Sequence, residues 1–349
     1  MIARVADHCF WLGRYIERAE STARVLQVTG ALALDAELPP VRCWHPVVIV
    51  AGQEADFVAR HGRAALGDAE LVQRYLACDE DNPVSLWRSV GAARDNARSI
   101  REVVSLEVWQ TLNELHVFIG SGEADAMFLH DRDALYARVQ RSTQLALGLL
   151  RSTMLHDAPL DYIWLGVLLE RVSQTARLLD VQHHALVAEG APHPILETAL
   201  WLSLLRACSG FEAFMKRNRG KVTGASVAAF LILEPRFPRS VTYCATSARE
   251  RLASICAGDG MPDSRALGRL LGLERVLAEQ APAALHGPRV HELLTRVVDE
   301  VHAACGAVSR ELLGQEESEP EPEPATEPEH PLEPTQTQST STSTQSQSH

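Results

Sequence analysis

The residues best suited to chemistry in this sequence are the charged side chains of two matching segments. WLGRYIERAESTARVL begins at Trp11, and WLGVLLERVSQTARLL begins at Trp164. Carboxylates and guanidinium groups at such spacings can bind a charged ligand or a protein partner, because guanidinium groups bind carboxylate or phosphate oxygens in pairs. The first segment contributes the members of a candidate ligand or partner surface, which are Arg14, Glu17, Arg18, Glu20 and Arg24.

The same charges also have a structural interpretation. At 100° per residue, Glu17 and Arg24 share a helix face with Gly13, where the missing side chain permits the close approach of a second helix. Glu17 would then pair with Arg177 of the second segment. Glu170 would pair with Arg24 in the same way. The presence of these residues in both segments favours these cross-repeat bridges over a ligand site.

The two segments differ at three positions that bear on the location of a functional surface. Arg14, Tyr15 and Glu20 of the first segment correspond to Val167, Leu168 and Ser173 of the second. The first segment therefore has polar groups beyond the shared set. This asymmetry predicts a single functional surface, on the N-terminal half of the chain.

A second candidate surface lies in the segment ARDNARSIRE. Arg94, Arg98 and Arg101 follow the spacing i, i+4, i+7 and would form a basic stripe on one helix. Guanidinium groups at that spacing can bind carboxylate or phosphate oxygens. The alternative is a solvated helix face whose charge is balanced by the neighbouring acids Asp95 and Glu102.

Both charged regions need helices to position them. Apolar residues recur at spacings of three and four over residues 12–26 and again over 165–179, which gives each segment one continuous apolar stripe. No stretch shows the sustained alternation of a strand. Asn82-Pro83 precedes another helix, Ser105 caps the next, and Gly120–Ala126 is predicted to be a flexible break. The sequence predicts an all-α fold.

The similarity of the two segments extends along the chain as an internal repeat. Trp11 recurs at Trp164, Trp44 at Trp201 and Pro83 at Pro238, with offsets of 153, 157 and 155 residues. A nearly constant offset over separated blocks is typical of a duplicated unit. We predict a helical bundle of two tandem repeats of about 155 residues, over 1–155 and 156–314, related by a pseudo-twofold axis.

Residues 315–349 have a different composition. They contain eight of the 45 acidic residues and neither Lys nor Arg, so the net charge is −12 for the chain and −4 for residues 1–314. Alternating Glu and Pro followed by Ser, Thr and Gln cannot bury enough apolar surface to fold, and we predict a disordered tail. Nucleic acid is not expected as a partner, because a basic balance and a stripe of aromatic residues are missing.

Composition and the absence of known motifs argue against several classes of protein and binding site. No apolar run reaches the length of about 18 residues that a membrane span needs, so we expect no membrane association and a cytoplasmic protein. The seven cysteines are scattered without a C-x-x-C pair. Phosphate-loop, dinucleotide, zinc-protease and nucleophile-elbow signatures are missing, and we expect neither a cofactor nor a metal ion. The sequence identifies no catalytic residue.

Four blocks carry a resemblance to a known family: RVADHCFWLGRYIERAESTARVL, NPVSLWRSVGAARDNARSIREVVSLEVWQTLN, LERVSQTARLLD and FLILEPRFPRSVTYC. They resemble the alpha-E family of bacterial proteins, an all-helical group named for its Glu-Arg motif, here Glu17-Arg18 and Glu170-Arg171. The resemblance covers residues 1–314. It implies a neighbouring gene for a circularly permuted ATP-grasp protein, often with one for a transglutaminase-like peptidase, in a system proposed to form and cleave amide or peptide bonds.

Two functions from different classes follow. The first is a non-catalytic partner that docks on an ATP-grasp amide or peptide ligase and presents or shapes its substrate. The second is an enzyme in its own right, a transferase or ligase component that acts on an amino acid or peptide. In the second case Arg14, Glu17, Glu20 and the arginine stripe would line the site.

Overall fold

The described part of the chain is helical throughout. A computed structural model describes residues 2–35, 38–188, 194–218, 220, 222–261 and 263–314, with the backbone alone at 184–188. Within these residues there are fifteen α-helices, two short 3₁₀ segments and no strand, which confirms the predicted all-α class. The predicted tail, residues 315–349, lies outside the described residues.

The α-helices vary widely in length. They are α1 (Ala3–Asp35), α2 (Pro40–Val50), α3 (Glu54–His61), α4 (Ala69–Ala77), α5 (Leu86–Ser99), α6 (Leu106–Ile119), α7 (Gly122–His130), α8 (Arg132–Thr153), α9 (Ala158–Ala188), α10 (Pro194–Ala207), α11 (Phe211–Arg217), α12 (Gly224–Leu233), α13 (Val241–Asp259), α14 (Arg265–Ala278) and α15 (Pro288–Leu312). The 3₁₀ segments are Arg63–Gly67 and Pro282–Ala284. None of the described helices combines the length and the apolar character needed to cross a lipid bilayer.

Two long helices, α1 and α9, lie at the centre of the bundle. α1 packs against α9, α5 and α8, and α9 packs against α1, α13 and α15. Leu12, Ile16 and Leu26 of α1 are fully buried, as are Leu165 and Leu169 of α9. Each central helix therefore contacts other helices beyond its apolar stripe, and some of its polar residues, such as Glu17 and Glu170, are buried as well.

The two central helices cross at their glycines. A Cβ atom on Gly13 would lie 2.0 Å from the carbonyl oxygen of Ile163, and one on Gly166 would lie 2.1 Å from the carbonyl oxygen of Phe10. No side chain fits in so short a distance, so the backbones of α1 and α9 approach each other only because both positions are glycine. The predicted close approach of a second helix at Gly13 is confirmed.

The apolar core has two parts that meet along α1. One part contains Phe10, Leu165 and Val297, and it joins α1 to α9, α13 and α15. The other part contains Leu26 and Tyr136, and it joins α1 to α2, α4 and α8. Burial on this scale fixes the rotation of α1, because turning the helix would expose apolar side chains to water.

Two matching serine caps place further residues beside the central helices. Ser85 begins α5 and Ser240 begins α13, and each hydroxyl oxygen accepts the backbone N–H three residues later at 3.1 Å. Both serines are fully buried. The caps hold the preceding residues, Val84 and Arg239, next to side chains of α1 and α9.

Candidate functional site

One group of motif charges lies where α1, α9 and the start of α13 meet. We call it the Glu17 cluster, formed by Glu17, Glu20, Arg24, Arg171 and Arg239. Glu17 is fully buried and accepts hydrogen bonds from Arg171 Nε at 3.0 Å and Nη2 at 2.7 Å. Arg239 donates from Nη1 to Glu17 at 2.7 Å and from Nη2 to Glu20 at 2.8 Å. Arg239 therefore joins the two carboxylates.

The second carboxylate of this cluster is also fully enclosed. Glu20 is fully buried and accepts hydrogen bonds from Arg24 Nε at 3.0 Å and from the side-chain amide of Gln144 at 3.2 Å. Arg171 uses its remaining nitrogen, Nη1, to donate to the carbonyl oxygen of Pro238 at 3.2 Å. Three arginines thus surround two carboxylates, and each charge has an opposite charge beside it.

A second group of charges lies on the other side of the crossing. We call it the Glu170 cluster, formed by Glu170, Arg14, Arg18 and Gln174. Arg14 donates to Glu170 Oε2 from Nε at 2.9 Å and Nη2 at 2.7 Å, and Arg18 donates from Nε to Oε1 at 2.8 Å and from Nη2 to Oε2 at 3.1 Å. Gln174 donates to Oε1 at 3.3 Å. Both guanidinium groups also lie over aromatic rings of α1, 5.1 and 5.5 Å from the ring centroids.

The predicted partners of the two glutamates are wrong, although bridges between α1 and α9 do form. Glu17 was expected to pair with Arg177 but pairs with Arg171 and Arg239. Glu170 was expected to pair with Arg24 but pairs with Arg14 and Arg18. Arg177 lies six residues beyond Arg171, about 9 Å further along the helix. The guanidinium group of Arg171 is therefore the nearer one to Glu17, and the long arginine side chain reaches across from its own helix face.

The five residues of the candidate surface from the first segment fall into separate clusters. Arg14 and Arg18 belong to the Glu170 cluster, whereas Glu17, Glu20 and Arg24 belong to the Glu17 cluster. The arginine side chains are only 14–16% exposed and both glutamates are fully buried. These residues do not form one open surface, because they are paired inside the bundle.

The electrostatics of both clusters favour the ionised forms. Burial alone would raise the pKa of the Glu170 carboxyl, but the charges of Arg18 and Arg14 and their hydrogen bonds hold that pKa well below its usual range. Burial is likewise outweighed at Glu17, whose pKa is lowered by Arg171 and Arg239. A carboxylate with a lowered pKa is a poor proton carrier near pH 7, so neither glutamate is suited to general acid–base chemistry.

A cavity of about 130 Å³ adjoins the Glu170 cluster. Its polar side chains are Arg14, Arg18, Thr22, Glu170, Ser173, Gln174, Arg177 and His302. Its apolar wall is formed largely by valines of α1, α2 and α15 with Val84 and Leu76. One lining residue, His302, is exposed, so the cavity is not sealed from solvent. A charged side and a branched apolar side thus face each other.

Arg177 is the wall residue whose charge is least balanced. Its guanidinium lies against the turn at Gly52, where a Cβ atom would be 3.2 Å from Nη1. In the described part of the chain no carboxylate lies within ion-pair distance of Arg177, whereas Arg14 and Arg18 share Glu170. An anion that enters the cavity would find this guanidinium available.

The predicted basic stripe lies on a different surface. Arg94 donates to Asp95 at 2.9 Å and to Asn113 at 3.3 Å, and its guanidinium is 5.4 Å from the ring centroid of Trp109. Arg101, just beyond the end of α5, is 5.1 Å from the same ring, and Arg98 is exposed. The stripe therefore forms a partly exposed patch, in which Arg94 and Arg101 lie beside the half-buried Trp109 of α6.

The predicted site residues did not include Arg239 and Gln174 of the clusters or His302 of the cavity wall. Arg239 lies 222 residues from Glu17, and the sole signal for it was the matched block in which Arg239 corresponds to Val84. His302 of α15 lines the cavity from the region where the repeat is weakest. Among the described residues no group of three or more His, Cys, Asp or Glu side chains could hold a metal ion.

Comparisons with known proteins give a family and distant relatives. Residues 1–313 match the family Alpha-E, described as a predicted alpha-helical domain with a conserved ER motif. Similar proteins include the uncharacterized proteins Mb2597 of Mycobacterium bovis and Rv2567 of Mycobacterium tuberculosis, each 25% identical to this chain over 272 residues. The match covers 74% of this chain and 30% of each relative, so the chain spans less than a third of their length. No solved structure matches the chain.

Proposed function

Because this chain belongs to the Alpha-E family, we propose that it is a non-catalytic helical partner of an ATP-grasp-type amide or peptide ligase, whose substrate it presents or shapes. The observation that carries the proposal is the state of the Glu-Arg motifs. Glu17, Arg18, Glu170 and Arg171 are paired with one another or with neighbouring charges across the α1–α9 crossing. Residues held in this way fix helix register and do not transfer protons.

The length of the relatives supports a role beside another protein. The matched region is 30% of each mycobacterial relative, so most of each relative is additional chain. In those relatives the helical region is therefore joined to other parts of a longer chain, as expected for a domain that works beside another protein. The partner proposed for this chain is a circularly permuted ATP-grasp protein, and a transglutaminase-like peptidase is a second expected partner.

The proposed architecture is a duplicated bundle with a pseudo-twofold axis through the α1–α9 crossing. Gly13 and Gly166 each contact a carbonyl oxygen three residues before the opposite glycine, at Ile163 and Phe10. The caps at the starts of α5 and α13 and the packing of each against its own central helix support the same relation. Such a duplication would give two similar faces, of which one carries the arginine patch.

The partner is proposed to dock on the patch formed by Arg94, Arg98, Arg101 and Trp109. An aromatic ring flanked by arginine side chains is typical of protein interfaces, where Trp and Arg contribute much of the binding energy. Leu106, at the start of the same helix as Trp109, is 63% exposed and extends the patch with apolar surface. The surface fits an acidic partner surface with an apolar centre.

The test uses the full chain and its cognate ATP-grasp protein. The isolated chain should hydrolyse no ATP, and adding it should produce a complex with altered nucleotide turnover. Replacing Arg94, Arg98 and Arg101 by Ala should weaken the complex about tenfold or more, because rim and patch arginines govern association. The matched control replaces three arginines of the C-terminal half, Arg249, Arg265 and Arg269, and should bind normally. Equal loss in both triple variants would contradict docking on the patch.

A second function, an enzyme that acts on an amino acid or peptide, is favoured by the arginine-lined cavity. Of the residues expected to line such a site, Arg14 faces the cavity, whereas Glu17 and Glu20 are buried in the Glu17 cluster. The enzyme would therefore need a general base from elsewhere. Turnover of an amino acid or peptide substrate by the isolated chain would establish this function and overturn the partner proposal.

A further inference from the structure

The Glu170 cluster lacks an acid that the Glu17 cluster has. With an offset of 153 residues, Arg24 corresponds to Arg177 and Glu20 corresponds to Ser173. Glu20 accepts a hydrogen bond from Arg24 one helical turn away, whereas Ser173 has no carboxylate for Arg177. The arginine is present in both segments, but its acidic partner is present in the first alone.

A second replacement leaves space for a ligand. With an offset of 155 residues, Arg239 corresponds to Val84. Arg239 donates hydrogen bonds to Glu17 and Glu20, whereas Val84 is an apolar wall residue of the cavity. The cavity therefore has short side chains at the two positions that carry one long acid and one long base in the Glu17 cluster. Filled space on one side of the crossing corresponds to open space on the other.

The charge of the cavity wall has the sign of an anion site. Arg14, Arg18 and Arg177 line it, and Glu170 is the one carboxylate among the described wall residues. Because Arg14 and Arg18 share the single carboxylate of Glu170, two positive charges of the wall remain unbalanced. One of them is the charge of Arg177, which has no carboxylate partner among the described residues. An added carboxylate would lower the energy of this wall, because guanidinium and carboxylate groups form charge-assisted hydrogen bonds.

We propose that the cavity binds a small aliphatic carboxylate, whose charged group pairs with Arg177 in the role that Glu20 has toward Arg24. A cavity of about 150 Å³ accommodates benzene, so the space of about 130 Å³ admits a ligand of similar size. The valines Val47, Val50 and Val298 provide the contacts for a branched apolar end. A free amino acid fits less well, because its ammonium group would add positive charge beside three arginines.

The site is independent of the proposed partnership, because it is tested on the isolated chain. The probe is isovalerate, measured by titration calorimetry with the full chain at low salt. Wild type should bind isovalerate. Arg177→Met should bind it at least about tenfold more weakly, as expected when a charged hydrogen bond is lost. Ser173→Glu should abolish binding, because it supplies the missing carboxylate from the chain itself.

Three controls define the ligand class. Isovaleramide, which has the same shape without the charge, should not bind. Arg141→Met removes an exposed arginine of α8 outside both the cavity and the patch, and it should leave binding unchanged. Inorganic phosphate should bind more weakly than isovalerate, because it lacks the branched apolar end. The proposal would be overturned if wild type did not bind isovalerate, or if it bound isovaleramide equally well or phosphate more tightly. Normal isovalerate binding by folded Arg177→Met and Ser173→Glu would also overturn it.

Discussion

In the Glu17 cluster, two carboxylates pair with three arginines. In the Glu170 cluster, one carboxylate pairs with two arginines, and a further arginine, Arg177, lies at the wall of the adjoining cavity. The two clusters contain the same Glu-Arg motif and lie on either side of one helix crossing. The first is filled by Glu20 and Arg239, while the second has Ser173 and Val84 at the corresponding positions. A shared motif therefore produced a closed charge network on one side and an open, positively charged space on the other.

The comparison separates two roles that one motif can have. Where each charge has an opposite charge beside it and the carboxylates are fully buried, as at Glu17, the motif holds the two central helices together. Where one acid is missing, the same geometry becomes a place for a foreign anion. The difference lies outside the Glu-Arg pair, at Ser173 and Val84, so the motif alone does not say which side is functional.

The largest expected effect is the loss of a carboxylate from the closed cluster. Glu17→Gln leaves Arg171 and Arg239 buried with one fewer opposite charge, and removal of one partner from a buried pair costs about 3 to 5 kcal/mol. Glu170→Gln should cost less, because Arg14 and Arg18 border a solvent-accessible cavity. Urea unfolding of both variants measures the two costs. Equal costs would remove the distinction between closed and open clusters.

A double-mutant cycle tests the observed pairing against the one first expected. Arg171→Met should couple to Glu17→Gln by about 1 kcal/mol or more, because the two side chains share two hydrogen bonds. Arg177→Met should be additive with Glu17→Gln, since the two residues are not in contact. Coupling through Arg177 in place of Arg171 would show that the helix register is different.

The next prediction concerns the crossing of α1 and α9, which both clusters share. Gly13→Ala places a Cβ atom 2.0 Å from a backbone oxygen of α9 and should destabilise the fold by about 3 kcal/mol. Gly166→Ala should have a similar effect. Gly148→Ala on α8 is the matched control, because its Cβ atom meets nothing within 4 Å, and it should stabilise by about 0.5 to 1 kcal/mol. Thermal unfolding of the three variants measures these changes, and tolerance of alanine at Gly13 would contradict the close approach.

The pH dependence of stability tests whether the fold holds the Glu170 carboxyl ionised. The folded pKa of Glu170 is lowered from an unfolded value of 4.5, so its contribution is complete above pH 4.5 and is lost as the pH falls toward the folded pKa. Between pH 7 and pH 3 the wild type should lose about 2 kcal/mol through this group. Urea unfolding of Glu170→Gln over the same range should lack that loss. If wild type and Glu170→Gln lose the same unfolding free energy between pH 7 and pH 3, then Glu170 is not held ionised by the fold.

Much of the fold follows from local patterns in the sequence. The apolar stripes of α1 and α9 predict amphipathic helices, and the glycines predict the close crossing, because one backbone position decides each. Ser105 caps α6 as predicted. The expected flexible break at Gly120–Ala126 is wrong, because Ser121 accepts the backbone N–H of Ala124 and starts α7. A serine cap outweighed two glycines.

The partners in the charge clusters could not be obtained from the sequence in the same way. Angles around a helix placed Glu17 and Arg24 on one face, but a guanidinium group reaches beyond the face on which its residue lies. Arg239 enters from a cap region more than two hundred residues from Glu17, and no periodicity links those positions. The cavity beside Arg177 is lined by residues of α1, α2, α4, α9 and α15, so it forms only in the assembled bundle.

The smallest expected effect asks whether one residue accounts for the difference between the clusters. Ser173→Glu gives Arg177 a carboxylate one helical turn away, at the spacing by which Glu20 reaches Arg24. The new ion pair should stabilise the fold by about 1 kcal/mol, measured by urea unfolding, because a charged hydrogen bond forms at a wall that is already positive. Ser173→Gln, which has the same length without the charge, should give no gain. If the Glu variant is no more stable than the Gln variant, then Ser173 is not the reason that the Glu170 cluster is open, and the explanation lies with Val84 and the approach of α15.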